Sequence, residues 1–348
     1  MQRTLVMNVV GLTPELVGPH TPALAALAKS GAMRPLTTIL PAVTCSVQST
    51  FTTGLRPNEH GCVGNGWYYR DLAEVAFWRQ ANQLVTGDKI WDDARRRDPS
   101  FTCAKLFWWF NMYSTADYAV TPRPMYPADG RKLPDIHTHP AELRDTLQAQ
   151  LGQFPLFDFW GPRAGITSSR WITACAVDVW RTKRPTLGLV YLPHLDYDLQ
   201  RQGPHGPGIP AALREIDALC GDLIDIARKD GARIIVLSEY GITPVTGAVH
   251  INRILRDAGL LAIRHEQGRE YLDAGASKAF AVVDHQVAHV YVRDTPVGDV
   301  KTLLERIAGL EQVLDADGKI TAGLDHPRSG ELVAVTTADQ WFSYYYWN

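Results

Sequence analysis

The segment 41–65, PAVTCSVQSTFTTGLRPNEHGCVGN, carries the residues best placed to do chemistry. Thr44 follows a strand-and-turn pattern, TTILPAV, and opens a short helical stretch that closes near Gly54. At a helix N-terminus the backbone N–H groups point outward and the macrodipole is positive. That environment favours both an alkoxide and a bound phosphate. A threonine hydroxyl held there is a candidate nucleophile toward phosphorus. Taken by itself, Thr44 reads more simply as a helix N-cap. Cys45 and Ser46 are rival nucleophiles and rank below it.

Two further stretches end apolar, strand-like runs. One is 192–207, LPHLDYDLQRQGPHGP, and the other is 237–245, LSEYGITPV. In open α/β sheets ligands bind outside the carboxyl ends of the strands, so Asp196 and Glu239 are candidate site carboxylates. His194 and Asp198 are near enough to assist, although each alone reads as an ordinary loop residue. Tyr240 suits packing or hydrogen bonding, and is expected to contact substrate. Asp284, His285 and His289, in VVDHQVAHVYV, lie in or beside a strand, with the two histidines expected on one face. Their default reading is satisfied core or edge residues, but as a cluster they could reach the site. His250 falls near a helix start.

In order and spacing, Thr44, the run TGLRP at 53–57, His60-Gly61 and Asn65 resemble the nucleophile motif of the nucleotide pyrophosphatase/phosphodiesterase family, within the alkaline-phosphatase superfamily. The resemblance implies that Thr44 attacks phosphorus and binds metal. It also implies that Asn65 hydrogen-bonds a phosphoryl oxygen and that His60-Gly61 is structural. With Gly203-Pro204 anchoring the register, Asp196 falls on a metal-binding aspartate, but Gln200 stands where the family has histidine. Glu239 and Tyr240 stand where it has aspartate and histidine. Val10 replaces an aspartate before Gly11-Leu12, with Asn8 two residues earlier on the same strand face. The family's last histidine ligand has no match in the right order. His326, in GLDHPRSGEL, precedes the strand it should follow and is kept as a further metal candidate.

The resemblance therefore implies a phosphoric ester hydrolase of the phosphodiesterase or pyrophosphatase type. Its expected metal set is Thr44, Asp196, Glu239 and His326, holding one or two divalent ions, zinc or manganese. Gln200 and Tyr240 remove two imidazole donors and Val10 one carboxylate, which weakens the hold on two dications about 4 Å apart. The alternative is an inactive relative that binds a phosphorylated metabolite through Thr44, Asn65 and the helix N-terminus. A third reading is an ordinary metabolic α/β protein with a nucleotide site elsewhere. The chain has neither GxGxxG nor a phosphate-binding P-loop to support it.

Apolar strand-like runs at 5–10, 105–110, 186–192 and 233–237 alternate with helical patterns at 22–31 and 210–229. This alternation predicts an α/β fold with a mostly parallel sheet and helices on both faces. The family resemblance makes it an alkaline-phosphatase-like sandwich. Further strands are expected over 282–292 and 332–335. Thr21 is expected to cap the first helix, ahead of Pro22. The aromatic-rich stretch 66–165 reads as partly core strand and partly a small cap over a single domain, 1–348. The aromatic end, QWFSYYYWN, is expected to continue past Asn348.

The chain has 348 residues, 45% of them hydrophobic, which suffices for a large core. Its 35 basic and 37 acidic residues give a net charge of −2, unlike a polyanion binder, so nucleic acid is not an expected partner. The expected partner is a small phosphate ester. No run reaches the roughly 20 apolar residues of a membrane span. The start, MQRTLVMNVV, does not read as a signal peptide. Five scattered cysteines without a CxxC pair fit reduced thiols, and a cytoplasmic location is expected. Composition says nothing about oligomeric state.

Overall fold

The computed structural model describes residues 1–347. The chain forms two compact units, each assembled from three segments. The first takes Met1–Thr38, Gln80–Gln83 and Asp88–Ile242, and the second takes Ile39–Arg79, Leu84–Gly87 and the chain from Thr243 onward.

The first unit is built on a six-stranded sheet. Its strands are β1 (Thr4–Val9), β2 (Cys103–Leu106), β3 (Tyr118–Pro122), β4 (Ile136–His139), β5 (Leu187–Leu192) and β6 (Arg233–Leu237), in the order β4-β3-β2-β5-β1-β6. All neighbours run parallel except β4, which is antiparallel to β3. The central strands β1 and β5 read as unbroken apolar runs and are buried along nearly their whole length. That is the pattern of a parallel sheet covered on both sides. Three of the strands, β2 to β4, come from the aromatic stretch assigned partly to a cap.

The helix Ile209–Lys229 presents Leu213, Ile216, Leu223 and Ile226 as a buried stripe. From the same helix Asp217 reaches the start of the helix Pro22–Ser30, where its two oxygens accept the N–H groups of Ala23 and Leu24, each at 2.9 Å. This corrects the expectation for Thr21. Its hydroxyl is turned back to accept the Gly18 N–H at 2.8 Å, and the distant carboxylate does the capping.

The second unit holds an antiparallel sheet of β7 (Ala279–Asp284), β8 (Val287–Val292), β9 (Leu310–Leu314) and β10 (Leu332–Thr336), in the order β7-β8-β10-β9. The single strand expected over 282–292 is thus two strands joined by a tight turn at His285-Gln286. His285 adopts a left-handed φ of 59° there without the usual glycine signal. Because of that turn His285 is exposed and His289 buried, so they do not share a face. Tyr68, on the hairpin strand Gly66–Tyr69, packs edge-on to Phe280 and Tyr291, with ring centroids 5.0 and 5.3 Å away. In the same unit Gln340–Phe342 pairs in parallel with Gly247–Val249 and buries Phe342. Among the described residues no helix is long and apolar enough to cross a membrane.

Candidate functional site

In the first unit the candidate carboxylates stand at the ends of β5 and β6. Asp196 lies in the first turn of the helix His194–Gln202, which follows β5 across Pro193. Its Oδ2 accepts from Gln200 Nε2 at 2.8 Å, one helical turn on. Its Oδ1 accepts from the Tyr240 hydroxyl at 3.1 Å. Gly11 makes this packing possible. Its φ is 82°, and a Cβ there would sit 2.7 Å from Leu199 Cδ1 and 3.5 Å from the Asp196 Cα. Glu239, just past β6, accepts from Asn8 Nδ2 at 2.6 Å through Oε1, and both residues are buried. Asn8 sits on β1 opposite Tyr191 and Leu237, and Val10 is fully buried. His194 is buried with Nε2 3.6 Å from both Asp198 and Glu215. Burial pushes its pKa down against the pull of those two carboxylates.

In the second unit Thr44 is the first residue of the helix Thr44–Thr53, entered from an extended Val43 and closed by Gly54 at a φ of 71°. The next N–H, that of Cys45, donates to Asn65 Oδ1 at 2.9 Å. Asn65 is held from behind by Asp284, the last residue of β7. The Asn65 backbone N–H donates to Asp284 Oδ2 at 2.7 Å, and Nδ2 donates to Oδ1 at 3.0 Å. Burial pushes the Asp284 carboxyl above its ordinary range, against the opposing effects of His285 and the Asn65 hydrogen bonds. The rivals Cys45 and Ser46 are completely enclosed, whereas Thr44 retains 4% exposure.

His60 joins this helix to the turn that follows. Its Nδ1 accepts the Cys62 N–H at 3.0 Å, which leaves Nε2–H to donate to Thr50 Oγ1 at 3.0 Å. Gly61 has a φ of 75°, and a Cβ there would meet Arg328 Nη1 at 2.9 Å and His326 Nε2 at 3.0 Å. His326 itself accepts the Arg328 N–H through Nδ1 at 3.1 Å, so its ring packs over this turn. His289 and His250 have local partners. The former bridges Val63 O and the Gly330 N–H, and the latter meets Ser343 Oγ at the start of the helix Ile251–Asp257.

The expected metal ligands divide between the units, with Asp196 and Glu239 in the first and Thr44 and His326 in the second. The family's members are typically dependent on divalent metals. The donor set of the first unit does not suit such an ion. Both oxygens of Asp196 are occupied by neutral donors, Gln200 and Tyr240, and Glu239 is bonded to the neutral amide of Asn8. A glutamine amide, a phenol and an asparagine amide supply no imidazole nitrogen and little charge. Among the described residues, no group of three or more His, Cys, Asp or Glu side chains is arranged to hold a metal ion. The partners Asn8, for Glu239, and Asp284, for Asn65, were not anticipated in these roles. The only sequence cue was that Asn8 shares a strand face with position 10 and that Asp284 stands beside a histidine-containing strand.

A curated relative, an uncharacterised pyrophosphatase/phosphodiesterase of Schizosaccharomyces pombe, is 27% identical over 237 residues, which is 65% of this chain. The match spans 41% of that relative's length. Among solved structures, phosphonoacetate hydrolase from Sinorhizobium meliloti 1021 in complex with phosphonoformate superposes with a TM-score of 0.71 at 17% identity, covering 98% of this chain and 82% of that one. Murine ectonucleotide pyrophosphatase/phosphodiesterase 5, in an inactive form in complex with AMP, gives a TM-score of 0.66 at 16% identity, covering 98% and 80%. These likenesses establish an alkaline-phosphatase-like fold, as the sequence resemblance implied. The model of the type I phosphodiesterase / nucleotide pyrophosphatase family matches residues 4–348, so the chain belongs to that family of hydrolases.

Proposed function

We propose that this protein hydrolyses a small phosphoric ester, of the phosphodiester or nucleotide pyrophosphate class, with Thr44 as nucleophile. The Thr44 oxygen attacks phosphorus, and the alcohol or phosphate leaving group departs carrying the proton that Thr44 gives up. Water then cleaves the phospho-threonine and restores the hydroxyl. The observation that carries this reading is the run of hydrogen bonds from Cys45 N–H through Asn65 to Asp284, beside the first residue of the Thr44 helix. It leaves one Asn65 Nδ2 hydrogen beyond the one given to Asp284, available to a phosphoryl oxygen. The helix dipole adds positive potential where phosphate charge would lie.

Membership of a hydrolase family supports turnover. No step is assigned to zinc or manganese, because the donors around Asp196 and Glu239 do not suit them. A cytoplasmic location belongs to the same proposal, and the five buried free cysteines agree with a reducing compartment.

A second reading is favoured by one observation. The neutral partners of Asp196 fit a relative that binds a phosphorylated metabolite without turning it over. Bis(4-nitrophenyl) phosphate turnover by the purified chain separates the two. Turnover lost in Thr44→Ala supports the hydrolase. Absence of turnover, with AMP binding retained, supports the binder.

A further inference from the structure

Asn65 carries a primary amide, whose two ends are nearly equal in size and opposite in hydrogen-bonding character. An amide free to turn over would present its oxygen or its nitrogen to a ligand. Asp284 removes that freedom. Its two carboxyl oxygens take both the backbone N–H of Asn65, at 2.7 Å, and its Nδ2, at 3.0 Å. With Nδ2 drawn to Asp284, Oδ1 must face the other way, where it accepts the Cys45 N–H at 2.9 Å.

The clamp is rigidly mounted. Asp284 ends β7 at the tight His285-Gln286 turn and is 4% exposed. Gly64 lies against it, since a Cβ on that residue would stand 3.3 Å from Asp284 Oδ2 and 3.2 Å from Gly66 O. A larger side chain at position 64 would press on the carboxylate.

We propose that Asp284 is a positioning residue. It fixes the Asn65 amide in the orientation that keeps an N–H donor for a phosphoryl oxygen and ties Asn65 to the helix start beside Thr44. This rests on the reading of Thr44 and Asn65 given above. Asp284→Asn places an NH2 donor against one of the two Asn65 donors and so breaks the clamp at almost constant volume. Losing one of these buried hydrogen bonds and gaining a donor-to-donor contact is expected to lower turnover of bis(4-nitrophenyl) phosphate by about tenfold or more.

The test is a double-mutant cycle of Asp284→Asn with Asn65→Ala, with melting temperatures recorded for every variant. The expected result is that Asp284→Asn lowers kcat more than it raises KM, and has no further effect once Asn65 is alanine. Multiplicative losses, or wild-type turnover in Asp284→Asn, would overturn the proposal. Asp284→Ser, which keeps an acceptor without an amide donor, repeats the cycle should the asparagine variant fold poorly. If the wild-type chain shows no Thr44-dependent turnover, the hydrolase reading fails by itself. The same cycle is then read by calorimetry as AMP affinity, with the same loss and the same non-additivity expected. A chain that neither turns over the diester nor binds AMP would overturn the positioning role as well.

Discussion

Gln200 donates its side-chain amide to Asp196 Oδ2 at 2.8 Å, one helical turn away within the helix His194–Gln202. The bond occupies a carboxylate oxygen that the family resemblance assigns to a metal. Tyr240 occupies the other. Protein purified without chelator is therefore expected to carry well under one equivalent of zinc or manganese, read by plasma mass spectrometry. Its melting temperature should not rise on adding either ion. Changing both neutral partners, Gln200→His with Tyr240→His, supplies two imidazoles beside Asp196, and zinc should then raise the melting temperature. Stoichiometric metal in the unaltered chain would contradict this account.

The three neighbouring candidates at the helix start separate by substitution. Thr44→Ala should reduce turnover to background while changing stability by no more than about 1 kcal/mol, since the side chain is small and sits at the end of the helix. Cys45→Ala and Ser46→Ala alter enclosed side chains, and should cost stability while keeping most of the activity. Steady-state rates set beside urea midpoints for the three variants check this. Loss of activity only in Cys45→Ala would move the chemistry to the thiol.

Gly61 has a testable steric role. Gly61→Ala puts a methyl group on a residue with a φ of 75°, 2.9 Å from the Arg328 guanidinium and 3.0 Å from the His326 ring. Left-handed backbone costs a non-glycine residue roughly 1–2 kcal/mol, and the two close contacts add to it. Chemical denaturation should report a loss of about 2 kcal/mol or more. The Arg328 bond to Gly61 O, at 2.7 Å, is strained by the same change.

Acid should weaken the fold partly through His289. Burial lowers its pKa from 6.5 to about 4. Nε2–H donates to Val63 O and Nδ1 accepts the Gly330 N–H, so the ring is held neutral and an added proton would face a donor. Between pH 6.5 and about 4 the unfolded chain binds this proton and the folded chain does not, so stability falls as pH falls through that window. The full effect is about 3 kcal/mol, present above pH 6.5 and gone near pH 4. Urea midpoints measured from pH 7.5 to 4.5 should show this slope. His289→Gln should flatten it by about one proton.

Much of this was legible in the sequence, because it is written in local patterns. The apolar runs that became β1 and β5 are short and bounded by polar turns, and parallel burial on both faces leaves them no alternation to misread, while the edge strand β6 is legible as a short apolar run although it is partly exposed. The helix carrying Thr44 announced itself by the preceding turn and by Gly54. What stayed hidden depends on contacts between residues far apart. Asp284 meets Asn65 across 219 positions, and Asp217 meets the helix at Ala23 across 194. No spacing rule reaches that far. The turn at His285 was missed for a different reason. It lacks the Asn-Gly or Gly signal, and a histidine takes the left-handed conformation instead, so VVDHQVAHVYV reads as one strand.

The two units interleave along the chain: the path enters the second unit at Ile39, returns at Gln80, leaves at Leu84, returns at Asp88 and leaves for good at Thr243. No cut in the polypeptide yields either unit whole. During synthesis the ribosome delivers the Thr44 helix early, yet the strand ending in Asp284 emerges more than two hundred residues later. The surroundings of Thr44 must therefore stay unfinished while most of the chain is being made, and a truncated or stalled product would carry the threonine without the residues that order Asn65 beside it.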